Sequence, residues 1–158
     1  MLLDGHSLTL ESFKSIVQGY EKVSLCTKAK ERLAKSRAVV EKAAQQDEKV
    51  YSINTGFGVL SKVKIDKDQL EQLQVNLIRS HCAGVGEIHS ETESRAILLL
   101  RTNVIVKGYS GARPELAELL IEMLMTLKAR SAAVLDVGSV SAYSAAWATS
   151  GCHCLSRR

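Results

Sequence analysis

The amino-acid sequence predicts an all-α protein. Apolar residues recur at intervals of three and four over three long segments, near residues 24–48, 66–81 and 91–107, and this spacing is typical of helices with one buried face. The glycines and the single proline, Pro114, fall outside these segments. Residues 51–65 break the pattern and are predicted to form an irregular, glycine-rich loop.

The composition is that of one soluble globular domain. The chain has 158 residues, of which 46% are hydrophobic and 24% charged, and its net charge is +4. Because only 4% are aromatic, the core must be built from Leu, Val, Ile and Ala. Basic residues crowd the segment 28–37, but Glu31 and Glu41 interleave with them and no aromatic side chain lies nearby. The pattern therefore favours a solvated helix face over a nucleic-acid surface.

The cysteines and the start of the chain bear on the cellular compartment. Cys26, Cys82, Cys152 and Cys154 show no disulfide-framework spacing, and the first residues lack the features of a signal peptide. No apolar run approaches the roughly 18 residues that a membrane span needs. These observations predict a cytoplasmic protein with free thiols. No metal is expected at Cys152-His153-Cys154, because adjacent ligands suit tetrahedral zinc poorly and the sequence offers no second cluster.

The first two helices are predicted from caps and spacing. Residues 8–10 should form a short extended piece, followed by a brief helix over about 10–19. Ser24 can cap a long helix that reaches about Glu48. The expected buried face of this helix contains Leu25, Ala29, Leu33, Val40 and Ala44.

The next helix is predicted to begin at Asp66, which can act as its cap with Gln69 three residues later. His81 falls at the C-terminal end of its apolar stripe. The stripe contains Leu70, Leu73 and Leu77. The glycines of residues 82–86 suit a left-handed helix cap.

Two further helices should follow. One runs over about 91–107 and ends at Gly108, and Pro114 begins another that reaches about Lys128. The inward residues of the first are expected to be Ala96, Leu99, Leu100, Asn103 and Val104. Residues 131–158 are rich in small side chains and show no amphipathic period, so they specify no fold.

Two motifs carry candidate chemistry. Tyr51-Ser-Ile-Asn-Thr-Gly-Phe-Gly58 places a tyrosine on a loop that glycines allow to close over a ligand; a helix connection with a buried ring is the alternative. Ser80-His81 places a histidine at a helix end, where it can bind substrate or transfer protons. The alternative is that His81 only interacts with the helix dipole. These residues alone leave both alternatives open.

Three blocks of sequence occur in a fixed order. They are Tyr-x-Ile-Asn-Thr-Gly-Phe-Gly from Tyr51, Leu-Gln-x-Asn-Leu-x-x-Ser-His-x-Ala-Gly-Val-Gly from Leu73, and Arg-x-Asn-Val-x-x-Lys-Gly-Tyr-Ser-Gly-x-Arg-Pro-Glu from Arg101. With these blocks the chain resembles the aromatic amino-acid ammonia-lyase family over about residues 2–142. Ser80-His81 is similar to the histidine-specific branch of that family.

The resemblance implies the N-terminal part of a mainly helical fold, in a homotetramer that eliminates ammonia from L-histidine to give urocanate. The electrophile of the family is 4-methylidene-imidazol-5-one, which forms by cyclisation and dehydration of an internal Ala-Ser-Gly. By resemblance, Tyr51 is the catalytic base, and Ala142 matches the alanine of the triplet. His81 would lie near the substrate imidazole, and Asn54 and Gly56 would belong to the substrate-binding loop.

The sequence departs from the family after Ala142. The family continues with Ser-Gly-Asp-Leu-Ala-Pro, whereas this chain reads Tyr143-Ser-Ala-Ala-Trp147. No glycine follows a serine at the matching place, so the electrophile is not expected to form. Thr149-Ser150-Gly151 resembles the triplet, but its flanking residues do not match. We therefore expect a lyase-like helical domain over residues 1–142 and a divergent tail over 143–158.

The first hypothesis is a truncated or frame-disrupted histidine-specific lyase that is inactive alone. A non-catalytic helical binding or regulatory module built on the same scaffold is the alternative. A third hypothesis is a lyase in which a second polypeptide supplies the missing parts. In the first, L-histidine is the small-molecule substrate, and neither nucleic acid nor membrane is an expected partner.

Overall fold

The computed structural model of the protein describes residues 1–66, 68–81 and 89–126. The described part is mainly helical and confirms the predicted all-α class. Its elements are β1 Leu2–Leu3, α1 Leu10–Val17, β2 Ser24–Leu25, α2 Thr27–Gln45, a short 3-10 helix Gly58–Lys62, α3 Leu70–His81, α4 Glu91–Val106 and α5 Pro114–Thr126. The domain boundary predicted at residue 142 lies outside the described residues. No helix in the described ranges is long and apolar enough to cross a bilayer.

The small sheet corrects two predictions for the first 25 residues. The extended piece lies at Leu2–Leu3 rather than at 8–10, and it pairs in parallel with Ser24–Leu25. The Ser24 amide donates to the Met1 carbonyl at 3.0 Å, so Ser24 is a strand residue and not a helix cap. The N-cap of α2 is Cys26, whose side chain makes no capping hydrogen bond.

Helix α1 confirms the brief helix predicted over 10–19. It begins with a capping box, in which the Thr9 side chain accepts from the Ser12 amide and the Ser12 hydroxyl accepts from the Thr9 amide. This arrangement satisfies main-chain donors that the first turn of a helix leaves free. At the other end Ile16 and Val17 are buried in the core.

Helix α2 buries Ala29 and Leu33, as its spacing predicts. The solvated basic face is only partly confirmed, because Arg37 is 9% exposed, although Lys28, Lys30 and Lys35 are exposed. The long aliphatic stem of an arginine packs against apolar surface while its charged end finds a partner. Here the Arg37 Nε donates to Glu41 at 2.9 Å.

Helix α3 begins at Leu70, four residues after the predicted start at Asp66. The chain first makes a turn in which the Gln69 amide donates to the Asp66 carbonyl at 2.9 Å. The C-terminal residue of α3 is His81, as predicted. Leu77 is half-buried and packs on the core.

Helix α4 has the predicted bounds but a different buried face. Its N-terminus has a capping box between Ser90 and Glu93. Leu100 and Val104, which were expected to point inward, are each 51% exposed. The buried residues are Ser94, Arg95, Leu98, Leu99, Thr102, Ile105 and Val106. Leu99 is buried as predicted, but the buried face is rotated away from Leu100 and Val104 and contains three polar residues, Ser94, Arg95 and Thr102.

Helix α5 begins at Pro114 as predicted and packs extensively on α4. The core lies between these two helices, α1 and the N-terminal half of α2. Fully buried members include Leu3, Ile16, Leu33, Leu99, Val106 and Leu124. Aliphatic residues supply this core, as the low aromatic content predicts.

Arg95 joins three elements inside the core. Its side chain is 7% exposed, and each of its three nitrogens donates to a main-chain carbonyl at 2.9 Å. The acceptors are Ile16 and Val17 at the C-terminus of α1, and Leu124 near the C-terminus of α5. At the end of α1 the Gly19 amide donates to the Ile16 carbonyl at 3.0 Å, and Arg95 supplies a donor to both Ile16 and Val17. Its third hydrogen bond joins this end of α1 to α5.

We expect Arg95→Met to destabilise the protein by roughly 3 kcal/mol or more, because each buried carbonyl left without a donor costs about 1–3 kcal/mol. The measurement is urea unfolding followed by far-UV circular dichroism. Arg79→Met is the matched control, since Arg79 is exposed on α3 and its loss should change stability by no more than about 0.5 kcal/mol. Equal stabilities of the two variants would contradict this role for Arg95.

Candidate functional site

Tyr51 lies on the connection between α2 and α3, as the sequence predicts. The amides of Ile53 and Asn54 both donate to the Val50 carbonyl, at 3.1 and 3.2 Å, and close a tight turn around the tyrosine. Within this turn Ser52 has a positive φ of 59°. The Tyr51 ring is 59% exposed and meets Phe57 edge to face, with ring centroids 6.3 Å apart. The phenol is therefore accessible, which the alternative of a buried ring does not allow.

The turn is anchored by the side chain of Asn54, which is 2% exposed. Its Oδ1 accepts from the Val50 amide at 2.7 Å, and its Nδ2 donates to the Glu48 carbonyl at 2.8 Å. Two longer contacts join the same Nδ2 to the carbonyls of Gln46 and Ala43, at 3.3 and 3.5 Å. One amide thus binds the end of α2 and the start of the tyrosine turn together. These contacts explain why α2 ends at Gln45 and not at the predicted Glu48.

The second half of the loop folds back on itself. An isolated antiparallel bridge pairs Thr55 with Lys64, and the Gly56 amide donates to the Val63 carbonyl at 3.1 Å. The 3-10 helix Gly58–Lys62 fills the excursion between the two sides of the bridge. An ion pair of 2.8 Å between Lys64 and Asp47 ties this excursion to the residues after α2. The predicted irregular loop over 51–65 is therefore confirmed.

The structure describes some of the remaining predicted site residues and not others. Gly56 is buried beside the bridge, and His81 ends α3, but the His81 side chain is not among those described. Ala142 and Cys152-His153-Cys154 lie outside the described residues. Within the described ranges no group of three or more potential metal ligands is found, and Cys26 has a free thiol. The structure therefore brings Tyr51, Asn54 and Gly56 together in one loop.

Tyr51 also lines a cleft of about 710 Å³, which we call the basic cleft. Its other walls are α2, the N-terminal residues and the turn after α4. The charged and aromatic residues that line it are His6, Arg32, Lys35, Tyr51, Lys107 and Tyr109. Sequence reasoning found only Tyr51 among these, because the others come from three separate segments. The one local signal was the Lys-Gly-Tyr-Ser-Gly run at 107–111, whose glycines permit close packing.

The family resemblance implies a self-derived electrophile, and the residues of this chain do not fit it. Its formation needs a serine followed by glycine after the alanine, because the glycine nitrogen must approach the alanine carbonyl closely. Tyr143 and Ser144 follow Ala142 instead. A tyrosine has no β-hydroxyl to lose as water, and a serine adds a side chain at the attacking nitrogen's residue. We therefore derive no catalytic step through this group.

Comparison with known proteins gives a consistent result. The sequence model of the family described as "Aromatic amino acid lyase" matches residues 8–145. A histidine ammonia-lyase from Geobacillus thermodenitrificans is 46% identical over 124 residues, covering 78% of this chain and 25% of that protein. A histidine ammonia-lyase from Staphylococcus aureus is 49% identical over 116 residues, covering 73% of this chain and 23% of that protein. The chain thus spans about a quarter of the length of the curated relatives it matches.

Solved structures agree on the fold. A tyrosine aminomutase from Streptomyces globisporus superposes with a TM-score of 0.74 at 35% identity, over 80% of this chain and 24% of that one. A histidine ammonia-lyase from Trypanosoma cruzi superposes with a TM-score of 0.68 at 39% identity, over 78% of this chain and 24% of that one.

We expect Asn54→Ala to loosen the tyrosine turn and to destabilise the protein by roughly 2–4 kcal/mol, because buried main-chain groups lose their partners. Hydrogen exchange at the amides of Ile53 and Asn54 should accelerate, and urea unfolding should give the free energy. Asn76→Ala is the control, since Asn76 is exposed on α3. Unchanged exchange at Ile53 in a variant that is otherwise destabilised would show that Asn54 does not hold the turn.

Proposed function

The chain belongs to the aromatic amino acid lyase family, and we propose that it carries the tyrosine-bearing part of a histidine ammonia-lyase active site. The reaction would be elimination of ammonia from L-histidine to give urocanate. Support for histidine as the substrate comes from Ser80-His81 and from relatives named histidine ammonia-lyase at 46% and 49% identity. The homotetramer of the family is the assembly in which this part would act.

The observation that carries the proposal is the exposed Tyr51 on a turn fixed by the buried Asn54. A general base must be held within hydrogen-bonding reach of the proton that it removes. The Asn54 anchor supplies the fixed position, and exposure of the phenol supplies the access. We assign the base to Tyr51, and to Asn54 the task of positioning it. Gly56 and Asn54 would complete the substrate-binding loop.

His81 is the second proposed contact with substrate. Residues 70–81 form one continuous helix, so His81 stands at a helix C-terminus. A cation there is favoured by the helix dipole, and a neutral imidazole can exchange hydrogen bonds with the imidazole of a substrate. We therefore propose that His81 contacts the side chain of the substrate and that Tyr51 removes its β-proton.

We propose that this chain alone does not complete the elimination. A β-proton of histidine is barely acidic, and the amine is a poor leaving group until an electrophile activates it. General-base assistance typically contributes about 10²–10⁴-fold, whereas enzymes commonly reach 10⁶-fold or more. Without the Ala-Ser-Gly triplet, Tyr51 and His81 cannot supply the difference. The lyase-like domain of residues 1–142 would then be a scaffold with part of the catalytic machinery.

We expect the purified chain to convert no L-histidine to urocanate, followed at the urocanate absorbance, and to have the intact mass of its unprocessed sequence. Tyr51→Phe should give the same blank reading. Turnover that disappears in Tyr51→Phe would contradict the proposal. A mass deficit matching the loss of two water molecules, one from ring closure and one from the serine, would point to an electrophile formed elsewhere in the chain, with Thr149-Ser150-Gly151 as the place to examine.

We further propose that the tail after Ala142 reflects a change of reading frame, because the family pattern stops abruptly there. Translating the gene in its two other frames downstream of codon 142 should produce a segment similar to Ser-Gly-Asp-Leu-Ala-Pro. The three upstream sequence blocks that resemble the family serve as the control, since they should appear only in the present frame. Absence of such a segment from both frames would rule the frame change out.

A further inference from the structure

The basic cleft is assembled from three segments that glycines bring into contact. Gly108 and Gly111 have positive φ values of 82° and 66°, which L side chains rarely adopt. A Cβ on Gly111 would lie 2.2 Å from Val40, and one on Gly108 would lie 3.1 Å from the Cβ of Arg32. The Gly111 amide also donates to the Ser36 hydroxyl at 3.0 Å. The turn 107–111 is thereby fixed against α2 with Lys107 and Tyr109 at the cleft.

The cations in this cleft are not neutralised. Among the described residues no ion pair involves Arg32, Lys35 or Lys107, and no residue lining the cleft is acidic. Two other basic residues of α2 do have acidic partners. The Lys30 ammonium lies 2.6 Å from Glu118, and Arg37 pairs with Glu41. Three uncompensated positive charges around one concave surface raise the local potential for an anion.

Asp4 is an acidic residue close to His6 and Arg32, and its carboxylate accepts hydrogen bonds from its own turn and not from the cations of the cleft. Its Oδ1 accepts from the amides of His6 and Ser7 and from the Ser7 hydroxyl, each at 2.8 Å. These hydrogen bonds hold the pKa of Asp4 well below its usual value. The Asp4 side chain therefore caps its own turn and is not an ion-pair partner for the lysines of the cleft.

Arg32 is oriented before any ligand arrives. Its Nη2 donates to the Asp4 carbonyl at 2.5 Å, which fixes the guanidinium plane. Its Nε is buried and has no hydrogen-bond partner within the part of the chain that the structure describes. The Nε is not accessible to a ligand in this conformation, so an oxyanion would be bound by the Nη groups of a guanidinium that the Asp4 carbonyl holds in place.

The cleft also has an apolar side. Val39, Val40 and Ile53 line it, together with the rings of Tyr51 and Tyr109. Its volume of about 710 Å³ falls within the range of about 300–1,000 Å³ typical of small-molecule sites. Three cations match a phosphate monoester, which carries a charge of about −1.5 to −2, better than they match a single carboxylate.

We propose that the basic cleft binds an organic phosphate, that is, a phosphate monoester joined to a flat or apolar group. Arg32, Lys35 and Lys107 contact the phosphate, and the tyrosine and valine side receives the organic part. Ammonia elimination needs no such ligand, so this binding function goes beyond the proposed lyase function and does not rest on it, although the two share the Tyr51 ring.

The test is isothermal titration calorimetry of the full chain with adenosine 5′-monophosphate, adenosine and inorganic phosphate. We expect adenosine 5′-monophosphate to bind more tightly than adenosine or inorganic phosphate alone. Its affinity should fall as the salt concentration is raised. Lys35→Glu should weaken binding about tenfold or more, because it reverses a charge beside the phosphate. Lys28→Glu is the matched control, since Lys28 is exposed on the same helix and does not line the cleft. Melting temperatures of both variants establish that they fold.

Each other outcome would overturn the assignment. If Lys28→Glu and Lys35→Glu weakened the binding of the monophosphate equally, the ligand would be attracted by the net charge of the protein and not by a specific site. Binding of inorganic phosphate as tightly as the monophosphate would exclude a role for the organic part. No heat with any of the three probes at millimolar concentration would exclude the site. None of these readouts depends on urocanate formation, so failure here leaves the proposed lyase function untouched.

Discussion

Three helices of this protein are joined inside the core by one buried side chain. The carbonyls of Ile16 and Val17 at the end of α1 and of Leu124 in α5 converge on it. Arg95 on α4 supplies three donors to this point, all at 2.9 Å. An apolar residue at that position would remove three hydrogen bonds, including the one that Val17 accepts, at a cost comparable to a large share of the stability of a small domain. The packing of α1 and α5 on α4 thus depends on a polar contact.

At the candidate site, the buried side chain of Asn54 likewise binds main-chain groups at the end of a helix. Its side chain makes hydrogen bonds with main-chain groups of residues 46–50, where α2 has ended and no regular secondary structure follows. Because that side chain is buried and fully engaged, the turn beside it has a defined shape although it lacks a helix or a sheet. Tyr51 can then be exposed and still be held in position. In both places a buried side chain binds main-chain carbonyls at the end of a helix.

The sequence predicted the helices best where caps and punctuation are local. Gly108 and Pro114 mark the end of α4 and the start of α5 within two residues. Ser24 was wrongly predicted to cap α2, because residues that favour caps also occur in strands and its hydrogen-bond partner, Met1, is distant in sequence. Leu100 and Val104 misled because periodicity finds an apolar stripe without showing which side of it a neighbour covers. Resemblance supplied Tyr51 as a site residue, but the scaffold role of Asn54 and the convergence of Arg32 with Lys107 required coordinates.

The Arg95 contact also orders events during synthesis. Its acceptors at Ile16 and Val17 leave the ribosome first, Arg95 follows, and Leu124 comes last. Domains tend to fold as units as the nascent chain emerges. Until α5 is outside the exit tunnel, the Arg95 side chain can bind only its acceptors on α1, and α4 lacks the cover that α5 provides. The part of the α4 surface that α5 covers therefore stays accessible to solvent until the last of the described helices has been synthesised.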